Sequence, residues 1–341
     1  MKPILKTKYS LVGASTALAL VLSGCAALEQ ITGDSSEAVE TESVEAEVEV
    51  EVEVEEVVET ATDDAESMVQ EAVEEAVEMT AEAKLVGILA SQPEEVQARY
   101  GARNPAETLA FFGIEPGMKV AEALPGGGWY SKILIPYLGE DGVLVGAHYP
   151  DELWPMFGFG EEWAAGRIEA TANWPTQAAE WEIENGAKIK SVQLTKMPEG
   201  MAGKLDAILF IRALHNLNRF SEGETDFMGA TLAEAYSALA PGGIVGVVQH
   251  AGPETNSDEW ANGSNGYLKK SALIAAFEAA GFELAGESDV NANAADVPNE
   301  EEFVWRLSPS LAGTEEGTPE RAAYEAIGES NRMTLKFRKP A

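Results

Sequence analysis

The sequence is poor in three kinds of residue that usually carry chemistry or connectivity. It has a single cysteine, Cys25, in 341 residues, so no intramolecular disulfide can form and oxidising surroundings carry no penalty. It has three histidines, His148, His215 and His250. It has 23 Lys and Arg against 58 Asp and Glu, a formal net charge of −35. That balance excludes a nucleic-acid binder working through a broad basic face, because neutralising phosphates needs clustered Lys and Arg. The charge is also uneven. Residues 25–83 hold 21 acidic residues and no basic one, whereas Lys84–Ala341 carries 20 basic and 37 acidic residues. A content of 45% apolar residues excludes a wholly disordered chain.

The first 24 residues read as a secretory signal. Lys2, Lys6 and Lys8 supply the positive start, and Leu11–Leu22 is an apolar stretch too short to span a bilayer, which needs roughly 20 residues. The stretch ends in Leu22-Ser23-Gly24-Cys25, which resembles a bacterial lipobox. The resemblance implies that Cys25 is the lipidation site and the mature N-terminus. Ala26 in the next position then favours sorting to the periplasmic face of the outer membrane.

Glu37–Glu82 is built mainly of Glu, Val, Ala and Thr with no Gly, Pro or aromatic residue. Val44–Val54 alternates Val with Glu or Ala, a strand period, but so many like charges repel one another without a sheet to join. Val69, Val73 and Val77 then fall four apart, the spacing of a nascent helix. Residues 25–83 are therefore expected to form a charge-extended tether, disordered or partly helical, with a partner-binding helix as the other reading.

Residues 84–341 suit one α/β domain. Pro93–Phe112 reads as a helix interrupted near Gly101–Pro105. The apolar run Val120–Leu124 reads as a buried strand. It passes at once into Pro125-Gly126-Gly127-Gly128-Trp129-Tyr130 and the helical Ser131–Leu138. Strand, glycine turn and helix in succession form an arrangement that cradles nucleotides, because glycine lets the backbone approach a ligand that the helix N-terminus favours. The same glycines also serve a tight turn alone. Further strands are expected at Gly142–His148, Ile189–Leu194, Leu205–Ile211, Ile244–Val248, Phe282–Glu287 and Met333–Phe337. Helices are expected at Met228–Leu239 and Leu268–Ala280. This alternation predicts a doubly wound, mostly parallel seven-stranded sheet.

At this point the motifs carry a resemblance. VAEALPGGGWYSKILIPYL (120–138), LDAILFIRALHNL (205–217), LAPGGIVGVVQH (239–250), AAFEAAGFEL (275–284) and LKFRKP (335–340) occur in order. Together they resemble a class I S-adenosylmethionine-dependent methyltransferase of Rossmann-like fold. More narrowly, they are similar to a bacterial predicted-methyltransferase group with a PGGGWY signature. The resemblance implies S-adenosylmethionine as cofactor, with Glu122, Gly126 and Gly128 at its methionine end, Pro125 and Gly127 shaping the turn, and Trp129 beside them. Two expected parts are missing. The second strand ends in Ala147-His148-Tyr149-Pro150 with no carboxylate for the ribose until Asp151 and Glu152, and Thr195-Lys196-Met197 follows the third strand where an acid is common.

The histidines all fall after strands, at the carboxyl ends where open α/β sheets bind ligands. His215 and His250, after neighbouring strands, match histidines that the group carries and are the candidate catalytic bases. The other reading makes them hydrogen-bonding loop residues. No metal site is expected, because the spacing lacks a tight local ligand pattern. Asp151–Glu182 holds Trp154, Trp163, Trp174 and Trp181 and reads as a loop-rich insertion, either a lid over an apolar acceptor or packing on the sheet edge. The expected activity is S-adenosylmethionine-dependent methyl transfer to a small or apolar acceptor, without nucleic acid. The alternative is a lipid-anchored binding or scaffold protein that keeps the fold and has lost the cofactor. That alternative draws weight from the export signal, since S-adenosylmethionine is made in the cytoplasm.

Overall fold

The computed structural model of the protein describes residues 81–341 except 182, 222 and 224. The signal, Cys25 and the tether up to residue 80 lie outside the described residues. The chain enters the domain through four helical segments: α1 (81–91), α2 (Glu94–Gln97), α3 (Tyr100–Arg103) and α4 (Pro105–Phe112). The interruption expected in this region falls at Asn104, whose φ of 38° ends α3 and whose successor Pro105 starts α4. Proline suits a first helical position because the lost N–H has no partner there.

The sheet is built from β1 (Lys119–Ala123), β2 (Val143–His148), β3 (Lys188–Gln193), β4 (Leu205–Ile211), β5 (Leu239–Gly252), the two-residue β6 (Leu268–Lys269), β7 (Glu283–Ser288) and β8 (Arg332–Arg338). Their order is β3-β2-β1-β4-β5-β8-β7, with β6 paired to the end of β5. β1 to β5 run parallel, and β8 is inserted antiparallel between β5 and β7. This is the doubly wound, mostly parallel sheet the alternation predicts, with the short β6 added.

Residues alternate between two apolar layers, as the twofold strand period requires. Val120, Leu144 and Leu209 face α4, α5 (Ser131–Leu138) and α6 (Glu161–Ala179), burying Phe112, Ile133 and Trp174. Ala121, Val145, Ile208 and Phe210 face the other way, where α8 (Phe227–Ala238) and α9 (Lys270–Ala279) contribute Leu232 and Phe277. A sheet covered on both faces explains why its central strands read as near-continuous apolar runs.

One expectation is corrected. The tryptophan-rich segment after β2 is a short 3-10 turn, Asp151–Phe157, followed by the 19-residue helix α6. Its Ala and Glu content favours helix, and Trp174 anchors it over Gly146 of β2, where a Cβ would lie 2.6 Å from the indole. Among the described residues no helix is long and apolar enough to cross a membrane.

Candidate functional site

The site begins where β1 stops. Leu124 still donates its N–H to the Ala147 carbonyl at 2.8 Å, then turns away with a φ of 53°. Gly126 and Gly128 follow with φ of 56° and 79°. Side chains other than glycine rarely adopt that region, so Gly126 and Gly128 are conformational requirements of this turn, whereas Gly127 is not. The three glycines nevertheless face different surroundings. A Cβ on Gly127 would meet nothing within 4 Å, and one on Gly126 only the Leu124 carbonyl at 3.8 Å. A Cβ on Gly128 would lie 2.0 Å from the Trp181 indole. Gly126 and Gly127 therefore present open backbone, whereas Gly128 is bare so that Trp181 can pack on it.

That open backbone forms one wall of a cavity of about 310 Å³. Pro125, Gly126, Gly127 and Trp129 line it on the turn side. Arg99, Arg103 and Arg212 line it together with Lys132. Glu122, one residue before the end of β1, is buried and accepts a hydrogen bond from the Ser131 hydroxyl at 2.5 Å. Burial pushes its carboxyl up to about 7, against the opposing effect of the Ser131 bond.

The two histidines after β4 and within β5 come together. His215 sits on α7 (Leu214–Arg219), and its ring centroid lies 5.7 Å from that of His250. His215 Nδ1 is 3.5 Å from the Gln249 carboxamide oxygen, and the Gln249 amide donates to the Gly266 carbonyl at 3.0 Å. His250 Nδ1 is 2.6 Å from the Ser330 hydroxyl. Both rings are buried. Burial brings His215 down to about 4, and burial together with neighbouring His215 holds His250 well below its ordinary value. Arg212 and a second arginine add to each effect. Both imidazoles are thus neutral at pH 7 and free to accept a hydrogen bond or, at a cost, a proton.

His148 stays apart from this pair. It ends β2 edge-on to Trp174, with ring centroids 5.8 Å apart, and its Nε2 is buried without a partner among the described residues. The next residue, Tyr149, is buried and donates its O–H to the Ala213 carbonyl at 2.6 Å. That bond links the ends of β2 and β4, the strands on either side of β1. Among the described residues no group of three or more His, Cys, Asp or Glu side chains is placed to hold a metal ion.

The arginines are what sequence reasoning passed over. Arg103 is 6% exposed, lies 4.3 Å above the Trp129 ring, and forms no side-chain hydrogen bond or ion pair among the described residues. Arg212 stands alone after β4 with a φ of 58°, a left-handed conformation that costs a non-glycine residue about 1 kcal/mol or more. Arg332 at the start of β8 donates to the Ala102 carbonyl at 2.8 Å and pairs with Glu329, as does Arg99. Two signals were in the sequence: Arg99 and Arg103 are one helical turn apart, and Arg212 interrupts an apolar run at a strand end.

S-adenosylmethionine fits part of this arrangement. Open glycine backbone at Gly126 and Gly127 suits its amino-acid end, with Glu122 and Trp129 close by. At the end of β2, His148 Nε2 is a buried polar atom without a partner among the described residues, and it does not line the cavity. Of the residues expected to hold the cofactor, Pro125, Gly126, Gly127 and Trp129 line the cavity, whereas Glu122 and Gly128 do not.

The chain matches no protein-family model, and no curated protein is similar to it in sequence. Solved structures with a similar fold include a SAM-dependent methyltransferase from Aquifex aeolicus, at 14% identity and a TM-score of 0.41, covering 72% of this chain and 98% of that one. They also include a geranyl diphosphate C-methyltransferase from Streptomyces coelicolor, at 12% identity and a TM-score of 0.46, covering 75% and 87%. A third is the cyclase SpnF, at 18% identity and a TM-score of 0.45, covering 70% and 81%. Values this low assign no activity to the chain.

Proposed function

We propose that the domain transfers a methyl group from S-adenosylmethionine to a small-molecule acceptor held in the cavity beside the glycine turn. The carrying observation is the open backbone of Gly126 and Gly127 between β1 and α5, facing a cavity large enough for a small ligand. The cofactor, when bound, supplies an electrophilic methyl group for in-line displacement. The protein's own residues position the acceptor and exclude water. His215 and His250 lie behind the cavity wall rather than in it, and Gln249 and Ser330 fix their rings. Burial and the Arg212 charge make them weak bases, so any part they take in moving the acceptor's proton requires a neighbouring negative charge.

Calorimetric titration of the purified protein with S-adenosylmethionine tests the reading. Saturable heat that disappears in Gly126→Asp, with circular dichroism unchanged, supports it. No heat at millimolar cofactor defeats it.

A second reading is a binding protein that no longer uses the cofactor. It is favoured by the end of β2, where Tyr149 ties β2 to β4 and His148 stands in place of a carboxylate. Residues 1–24 as a lipoprotein signal, Cys25 as the acylated residue, 25–83 as tether and 84–341 as the catalytic domain complete the proposal, placing the protein at the periplasmic face of the outer membrane. Cys25→Ser is expected to release it from the membrane fraction, and continued attachment on cell fractionation would defeat the anchor.

A further inference from the structure

We infer that the arginine-lined cavity holds an oxyanion group of two or more negative charges, a phosphate ester or a di- or tricarboxylate, and that this group belongs to the methyl acceptor. Calling the ligand an acceptor rests on the methyl-transfer reading; the anion site itself does not.

The charge inventory is one-sided. Arg212, Arg99 and Arg332 act on Arg103, Arg332 and Arg99 act on Arg212, and Glu329 is the one carboxylate acting on either among the described residues. Glu329 is already engaged by Arg99 and Arg332. Four guanidinium groups therefore share one acid, with Lys132 at the rim, inside a domain that is acidic overall. Gathering like charges out of water costs free energy that one carboxylate and the Trp129 ring recover only in part. Arg103 carries the argument furthest: it is buried, lacks any carboxylate or hydrogen-bond partner, and its buried Nε is unsatisfied. Burial and the neighbouring Arg212 and Arg99 bring it down to about 9, still protonated at pH 7. Arg212 is held in an unfavourable backbone conformation at the cavity wall, with no hydrogen bond from its side chain to the described residues. Guanidinium forks of this kind match phosphate and carboxylate oxygens in pairs.

The cofactor does not meet this need. Its one carboxylate is outweighed by an ammonium and a sulfonium, so it brings net positive charge into a cavity already in cationic surplus. An acceptor bearing several negative charges removes the surplus, and its occupancy should make cofactor binding more favourable, as linkage requires. The same charge would stand beside His215 and His250, which Arg212 now helps to hold neutral.

The test titrates purified full-length protein, without cofactor, with phosphate, pyrophosphate, malonate and citrate, using acetate at matched ionic strength as the monoanion control. The expected result is saturable binding of the multivalent anions at least tenfold tighter than acetate. Arg212→Gln should weaken it tenfold or more, and Arg321→Gln, on the helix Pro319–Ile327, should leave it unchanged. Should Arg212→Gln fold poorly, Arg212→Lys keeps the charge, loses the fork and is expected to fall between the two. No binding, equal binding of acetate, or equal loss in both glutamine variants overturns the inference. Where S-adenosylmethionine binds, malonate should tighten it. Competition between them would place the cofactor's own carboxylate on the cluster and overturn the acceptor assignment. Anion binding with no cofactor binding at all would uphold the site and defeat the methyl-transfer reading instead.

Discussion

Glu122→Gln should make the protein more stable above neutral pH and leave it nearly unchanged in acid. Glu122 is 3% exposed on β1, and its carboxylate has the Ser131 hydroxyl as its side-chain hydrogen-bond partner. Burial raises the carboxyl from 4.5 to about 7 in the folded protein. As pH rises past 4.5 the unfolded chain releases this proton while the folded protein keeps it. Stability therefore falls across the window from 4.5 to about 7 and stays lowered above it. At about 1.36 kcal/mol per pH unit the loss amounts to about 3 kcal/mol. Glutamine has nearly the same shape, does not titrate, and can still accept the Ser131 bond, so the variant escapes that loss. Urea denaturation followed by circular dichroism, run on both proteins from pH 4 to pH 8, reads the difference directly. Below pH 4.5 the two should agree within the roughly 1 kcal/mol that a changed hydrogen bond is worth. Above pH 7 the variant should lead by about 3 kcal/mol, or roughly 6–9 °C in Tm for a domain of this size. Other titrating groups are common to both proteins and cancel. A difference that stays constant across the range would refute the reasoning and mean that Glu122 is solvated or ionised throughout.

The histidines act in the opposite direction: with burial holding His148 and His215 down to about 4, the unfolded chain takes up protons first as pH falls below 6.5, so stability should drain away between 6.5 and 4. His148→Gln, measured by the shift of the urea midpoint between pH 7 and pH 5, should show a shallower acid loss than the natural protein. Gly128→Ala should cost about 2–4 kcal/mol from left-handed strain and contact with Trp181, whereas Gly127→Ala should stay within about 0.5 kcal/mol, both read by thermal melting.

Much of the domain was legible because its signals are local. Strands such as Leu205–Ile211 are short apolar runs bounded by turn residues, and β4 has the bounds expected from sequence. The glycine turn was legible for the same reason, since a positive φ at Gly126 and again at Gly128 leaves few other residues to use. What misled was chemistry spread over distance. The segment Asp151–Glu182 has prolines and glycines that read as loop, yet Trp174 seated on Gly146 of a different element stabilises a long helix there. The site divided along the same line. His215 and His250 are 35 residues apart, and placing both at the carboxyl ends of neighbouring strands was enough to expect them near each other, although His250 lies within β5 rather than after it and its partner Ser330 is far along the chain.

By itself the sequence determined the strand–helix alternation, the glycine turn after β1 and the acidic character of residues 25–83 and of the domain, because each is written in neighbouring residues or simple sums of charge. Only the tertiary structure decided that Arg103 of α3, Arg99 just before it and Arg212 after β4 line one cavity, with Arg332 on β8 behind them and Glu329 as the single carboxylate acting on Arg103 and Arg212. Net charge averages over the whole chain, and the field in a cavity depends on distance and burial, so a protein with a large acidic excess can enclose a strongly cationic site.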